Sequence, residues 1–100
     1  MIFSEGEPEL WPVDRDAEQP LWEQVYDILR ERIEAGDFPQ GRAIPSINKL
    51  LGRVDVAEAT LQKALTQLKK EGFLRGRQGR GIFVRPHQEW NPPPPPDGTA

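Results

Sequence analysis

The residues with the clearest chemical potential are the arginines of a glycine-rich segment late in the chain. Residues 75–80 read Arg-Gly-Arg-Gln-Gly-Arg. Glycine lets a backbone approach a ligand closely, and a guanidinium can donate two parallel hydrogen bonds to phosphate oxygens. This segment therefore favours contact with a polyanion.

Side chains suited to catalysis or metal binding are scarce. The chain has no cysteine and a single histidine, His87. No pair of carboxylates, metal-ligand cluster or nucleophile with a neighbouring base stands in a credible arrangement. We therefore expect no enzyme activity, no cofactor and no metal site.

Charge is distributed unevenly, although the net charge of the chain is only -3. Residues 1–40 contain eleven acidic and three basic side chains, whereas residues 41–85 contain ten basic and three acidic ones. A basic segment of this kind is expected when one face of a domain meets phosphates.

A chain of 100 residues fits one domain with a modest core. We expect an acidic flexible leader over residues 1–19, a folded domain over residues 20–85 and a proline-rich flexible tail over residues 86–100. The sequence has no cationic and apolar leader of the secretory type and no run of 18 apolar residues. We therefore expect a cytoplasmic protein with no membrane partner.

Apolar spacing predicts a first helix over residues 20–35, because its apolar positions recur at steps of three and four. Pro20 is expected at the first helical position and Gly36 just past the end. A second, short helix is predicted to open with Ser46 as its N-cap and to break near residues 52–54.

A third helix is predicted over residues 57–71, with Gly72 as its C-cap. Two short strands, at residues 73–75 and 82–84, are expected to bracket a hairpin loop at residues 76–81. Three helices followed by a basic hairpin is the order of a winged helix-turn-helix. We expect a mainly α fold with a small β-hairpin (α+β), three helices plus a two- or three-stranded wing.

Several short stretches between Pro20 and Val84 occur in a specific order, including Pro20-Leu21-Trp22, Ile44-Pro45-Ser46, Glu71-Gly72-Phe73-Leu74 and the run from Arg77 to Val84. In the order and spacing of these motifs, the chain resembles the N-terminal domain of the GntR family of bacterial transcription regulators. The resemblance implies a sequence-specific regulator of double-stranded DNA, expected to be a repressor and a homodimer associated with the nucleoid. It places helix 57–71 in the major groove and the wing, residues 76–81, on the backbone or minor groove.

The chain departs from the family pattern where the family touches DNA. Ile47 and Asn48 stand where the family usually has glutamate and arginine, and Asp55 stands for a glycine in the turn before helix three. Residues 57–60 read Ala-Glu-Ala-Thr in place of Ser-Arg-x-Thr, and Gln62 replaces an arginine. Asparagine and glutamine side chains pair with adenine, and glutamate accepts a hydrogen bond from the amino group of cytosine. We therefore expect a DNA sequence preference different from the usual one of the family.

The residues expected to contact DNA lie on helices two and three and on the wing: Ser46, Asn48, Lys49, Glu58, Thr60, Gln62, Lys63, Arg75, Arg77, Gln78, Gly79 and Arg80. The ordinary interpretation of the same residues is a solvated helix face and a hairpin with solubilising charges. The alternative function is a winged helix that has lost specific DNA reading and binds a protein partner through the leader or the proline tail.

Aromatic residues divide into two groups. Trp22, Phe38, Phe73 and Phe83 are expected in the core. Trp11 and Trp90 lie outside the expected domain and are candidates for contact with a partner or for docking on the domain itself.

Overall fold

Three helices and a β-hairpin follow one another along the chain. The computed structural model describes residues 10–90. The elements are α1 (Leu21–Ala35), α2 (Ile47–Leu51), α3 (Glu58–Lys70), β1 (Leu74–Arg77), β2 (Gly81–Val84) and a 3-10 turn (His87–Glu89). The predicted α+β fold of three helices and a small wing is confirmed.

The core lies between the apolar faces of α1 and α3. Every third or fourth residue of each helix points into it, and α2 and the hairpin close its sides. The largest fully buried side chains are Val25, Leu29, Leu50, Val54, Leu61, Leu65, Leu68, Leu74 and Val84. Burying one leucine of this kind stabilises a fold by roughly 1.5–3 kcal/mol, so this cluster fixes the orientation of α3.

Local chemistry sets the helix ends, with small differences from the predictions. The Ser46 side chain caps α2 by accepting the Lys49 N–H at 3.3 Å, as predicted. Gly36 ends α1 in the left-handed conformation at φ 87°. Pro20 is the N-cap of α1 and not its first helical residue. The C-cap of α3 is Glu71, and Gly72 follows it at φ 81°.

The wing is a two-stranded antiparallel sheet with one additional bridge at its edge. β1 and β2 pair antiparallel from Leu74↔Val84 to Arg77↔Gly81, and Ala43 forms a bridge to Phe83 on the other edge of β2. The strands therefore extend further into the predicted loop of residues 76–81 and leave a tight turn at residues 78–80. Gly79 occupies this turn at φ 76°, a conformation that favours glycine.

The two faces of the hairpin differ. Leu74 and Val84 point into the core, whereas the paired residues Arg75 and Phe83 point to the opposite, outer face. The expectation that Phe83 belongs to the core is wrong, because strand alternation places it opposite to its neighbours Ile82 and Val84. Phe83 is instead partly exposed among the wing arginines.

Residues 10–19, the described part of the expected flexible leader, pack on the helices. Trp11 is 6% exposed, and its backbone N–H donates to the Arg53 carbonyl oxygen at 2.7 Å. The structure thus places this segment in the folded unit, whereas residues 1–9 lie outside the described residues.

Residues 86–90, the described part of the expected tail, also pack on the domain. The Trp90 ring lies 5.1 Å from that of Phe73, centroid to centroid, and its Nε1–H donates to the Arg85 carbonyl oxygen at 2.7 Å. The folded unit thus reaches residue 90. The five-proline run lies outside the described residues.

Candidate nucleic-acid interface

An exposed polar strip runs along α3 on the side away from the core. Glu58, Gln62, Thr66 and Lys69 recur at steps of four, four and three, which places them on one helix face. All four are exposed, and none makes a side-chain hydrogen bond or ion pair with another residue in the range 10–90. An amide, a hydroxyl and an ammonium group are the donors and acceptors that base edges and phosphates require.

Helical spacing divides the predicted residues of α3 between two sides of the helix. Glu58 and Gln62 lie on the polar strip, but Lys63 lies towards α1, with its Nζ 4.9 Å from the centroid of the Trp22 ring. Thr60, three residues earlier on the same side, is only partly exposed. Thr66 and Lys69 belong to the strip and are absent from the predicted set. The signal that could have found them is the continuation of the four- and three-residue steps beyond Gln62.

The start of α2 presents a second group of polar residues. Asn48 and Lys49 are exposed on this short helix. Ser46 accepts the Lys49 N–H with its hydroxyl oxygen, so its own O–H remains able to donate to a ligand. These three predicted residues therefore lie together at one helix end.

The tip of the wing carries two arginines without ionic partners. Arg77 and Arg80 flank Gln78 and Gly79, and the turn is closed by the Arg80 N–H donating to the Arg77 carbonyl oxygen at 2.9 Å. The ion pairs formed within residues 10–90 involve neither guanidinium. Both side chains are exposed and are free to bind an anion.

Arg75 and Arg85, further from the tip, share a carboxylate. Glu89 Oε1 lies 3.8 Å from Arg75 Nη2 and 3.0 Å from Arg85 Nε. These groups lie beside a pocket of about 250 Å³ on the outer wing face, with Phe83 and Pro86 also in its lining. Glu89 was not predicted as a site residue, and its carboxylate reduces the positive charge that Arg75 can offer to an anion.

Two contacts link the helices to the wing. The Ile44 N–H donates to the Ile82 carbonyl oxygen at 2.8 Å, which holds the start of α2 beside β2. The Lys69 Nζ lies 3.7 Å from the point that a Cβ on Gly76 would occupy. The polar strip of α3 therefore adjoins the wing.

A polar network behind the site ties the end of α3 to α1. The Tyr26 hydroxyl donates to Glu71 and accepts from Arg30 Nη1 at 3.2 Å, and Gln67 Nε2 donates to Glu71 Oε2 at 2.8 Å. Burial raises the pKa of the Tyr26 phenol, and its hydrogen bond to Glu71 raises this pKa further. The hydrogen bond to Glu34 raises the pKa of Arg30. The network links α1 to the end of α3 and favours the protonated form of the Tyr26 phenol.

The two outer tryptophans pack within the fold. Trp11 is buried and therefore lacks the exposure that made it a candidate partner contact. Trp90 is partly exposed but lies against Phe73 and His87.

Residues 10–90 contain neither a cluster of metal-binding side chains nor a membrane-spanning helix. No group of three or more histidine, aspartate or glutamate side chains in residues 10–90 is arranged to hold a metal ion. Every helix in the same range is too short or too polar to cross a lipid bilayer.

The fold and the arrangement of its polar surface define a winged helix-turn-helix protein. The family model for the bacterial regulatory proteins of the gntR family matches residues 21–84, so the chain belongs to the GntR family. The matched residues contain all three helices and the wing, whereas the Trp11 and Trp90 segments lie outside them.

Relatives and solved structures extend this result. The mannosyl-D-glycerate transport/metabolism system repressor MngR of Escherichia coli (strain K12) is 34% identical over 67 residues, covering 67% of this chain and 28% of the relative. YtrA from Sulfolobus acidocaldarius, a GntR-family transcription factor, is 30% identical with a TM-score of 0.66, covering 76% of this chain and 80% of that chain. AraR(DBD) in complex with operator ORX1 is 29% identical with a TM-score of 0.68, and the match covers 78% of this chain and 96% of that chain. The chain spans less than a third of the length of MngR.

Proposed function

We propose that this chain is a sequence-specific double-stranded DNA-binding transcription regulator that represses by occupying its operator. The observation that carries the proposal is the exposed polar strip of α3, whose side chains have no hydrogen-bonding or ionic partner within residues 10–90. The strip adjoins the wing at Lys69, and the two arginines of the wing tip have no ionic partner within the same range. Family membership, the repressor MngR and the likeness to AraR(DBD) in complex with operator ORX1 support the same function. We propose a binding role and no enzymatic one.

In this proposal α3 enters the major groove with its polar strip facing the bases. Gln62, near the middle of the strip, is suited to a bidentate contact with adenine, and Glu58 can accept from the amino group of cytosine. Thr66 can contact either base edges or phosphate, and Lys69 lies where it can reach the backbone. Ser46, Asn48 and Lys49 contact phosphates from the start of α2.

The wing contacts the backbone or the minor groove through its tip. Arg77 and Arg80 supply the charge, and the backbone at Gly79 can approach the sugar-phosphate chain closely because glycine has no side chain. Arg75 contributes less because it shares Glu89 with Arg85.

A single copy of the domain reads one short half-site, so we propose that the regulator binds as a homodimer to a palindromic operator. Binding to DNA also places the protein in the cytoplasm with the nucleoid.

The test begins with the immobilised chain, which selects duplexes from a random 30-bp pool. The affinity of the chain for a labelled selected duplex and for a labelled random duplex is then measured by fluorescence anisotropy between about 50 and 200 mM salt, where phosphate contacts give a steep dependence. A DNA reader prefers the selected duplex by about 10³-fold or more. Equal, weak binding to both duplexes would reject the proposal and favour the protein-binding alternative.

A further inference from the structure

We propose that residues 11–15 form a brace that positions the turn between α2 and α3 for DNA reading, with Trp11 as its positioning residue. This inference rests on the proposed DNA-binding function. The brace lies before residues 21–84, the range that matches the family model, so it falls outside the matched domain.

Trp11 joins the turn to the end of α1. Its backbone N–H donates to the Arg53 carbonyl oxygen at 2.7 Å, and Arg53 directly follows the C-cap of α2. The Trp11 ring centroid lies 4.8 Å from the Arg32 Cζ and 5.8 Å from the Arg53 Cζ. The indole therefore contacts two guanidiniums, one from the last turn of α1 and one from the turn between α2 and α3.

Arg15 makes the second attachment to the same turn. Its Nη2 donates to the Asp55 carbonyl oxygen and lies 3.4 Å from the Asp55 carboxylate. Asp55 stands where the family pattern has glycine. The position at which the turn departs from the pattern is thus held by a residue from outside the matched range.

The brace is also fixed to the start of α1, which makes it a defined segment. The Asp14 N–H donates to Gln24 Oε1 at 2.7 Å, and Gln24 Nε2 donates back to the Asp14 carbonyl oxygen at 2.9 Å. Both ends of α1 and the turn are therefore linked through five residues.

The turn determines how α3 is presented relative to α2, because it is the only covalent connection between them. Base contacts require the recognition helix in one orientation, and they are the contacts that distinguish a selected duplex from a random one. Loosening the turn is therefore expected to weaken binding to a selected duplex more than binding to a random duplex. A general loss of charge or of folded protein would weaken both equally.

The test compares Trp11→Ala and Arg15→Met with the wild-type chain, using the selected and random duplexes defined above. It also measures amide hydrogen exchange in the free proteins. The sensitive amides are those of Arg53 and Val54, which both donate to the Leu50 carbonyl oxygen, at 2.9 and 3.1 Å. Leu10→Ala is the matched control, because Leu10 is 62% exposed and adjoins the brace.

We expect faster exchange at the turn in both variants, with the protection of the α1 and α3 amides retained. The ratio of affinities for the selected and random duplexes should fall by at least about fivefold, the lower end of the cost of one lost base contact. Leu10→Ala should change neither quantity. Unchanged exchange at the turn, or an equal loss of affinity for both duplexes, would overturn the proposal.

Two further outcomes are decided by the same measurements. If Trp11→Ala does not fold, Arg15→Met carries the test, because Arg15 and Asp55 are both largely exposed. If the wild-type chain shows no preference for the selected duplex, the DNA-reading function fails and the positioning role fails with it. Exchange at the turn would then still decide whether the brace holds the turn.

Discussion

Replacing Arg77 or Arg80 with glutamine tests whether the wing tip binds phosphates. Each substitution removes one charge from an exposed guanidinium that has no ionic partner within residues 10–90. Glutamine keeps a polar side chain of moderate length, so the hairpin register should survive. The expected result is weaker DNA binding with a shallower salt dependence.

The magnitude follows from counterion release. A protein that neutralises one phosphate fewer loses about 0.9 from the slope of log K against log salt concentration. Referred to 1 M salt, one lost phosphate contact lowers the affinity by about 15-fold at 50 mM salt and by about fourfold at 200 mM. The double variant should lose about 1.8 from the slope if both guanidiniums reach phosphates.

The assay is anisotropy of a labelled random duplex across that range of salt, since the phosphate contribution is independent of sequence. Arg30→Gln is the control for the charge change, because Glu34 already pairs this guanidinium at 3.0 Å. Arg30 also donates to Tyr26, so this variant can lower the stability of the fold, but it should leave the salt slope unchanged. Thermal unfolding of each variant checks that the domain remains folded. An unchanged slope in the double variant would refute the assignment of the wing tip to phosphate binding.

Three further outcomes are expected. Gln62→Ala should weaken binding to the selected duplex by roughly 5- to 100-fold and leave binding to the random duplex unchanged. The control Gln88→Ala, at an exposed residue, should change binding to neither duplex. An equal effect of Gln62→Ala on both duplexes would contradict base reading by Gln62. Glu89→Gln should steepen the salt slope by up to about 0.9, because it frees the guanidiniums of the wing to bind phosphate. An unchanged or shallower slope would show that the Glu89 carboxylate does not compete with DNA phosphates for these guanidiniums. Tyr26→Phe should lower the unfolding free energy by about 1 kcal/mol at pH 7. Because the folded-state pKa of Tyr26 is raised, the difference in unfolding free energy between the wild-type chain and this variant should shrink as pH rises above about 10. Denaturant titrations that show a constant difference would contradict the hydrogen bond from Tyr26 to Glu71.

Local patterns predicted the elements well where neighbouring residues decide the structure. The spacing of apolar residues and Gly36 placed α1, and the hydroxyl of Ser46 placed the start of α2. The errors at Pro20 and Gly72 are of one residue, because a helix end depends on backbone angles that residue types only bias.

The surroundings of the polar side of α3 were harder to predict, because they depend on which side of the helix each neighbouring element covers. The apolar side of the helix was predicted correctly, but the sequence does not say that α1 lies beside Lys63 or that the wing lies beside Lys69. The position of Phe83 could have been predicted from the sequence, because successive residues of a strand point to opposite faces and Val84 faces the core. The apolar run of residues 82–84 obscured this alternation.

The sequence offered docking on the domain as one alternative for Trp11 and Trp90, but it could not identify the residues that they contact. Trp11 and Arg53 are 42 positions apart, and Trp90 and Phe73 are 17 apart. No periodic pattern connects such pairs, so only the tertiary structure could show that these tryptophans complete the domain.

The separate surroundings of the three tryptophans make them optical reporters of different junctions. Trp11 lies between guanidiniums at the turn, Trp22 lies under the Lys63 ammonium between α1 and α3, and Trp90 lies against Phe73 after the wing. Chains in which two of the three are replaced by phenylalanine would each retain one intrinsic emitter. The emission wavelength and quenching of each chain would then follow one junction at a time during unfolding or DNA titration, without an attached dye.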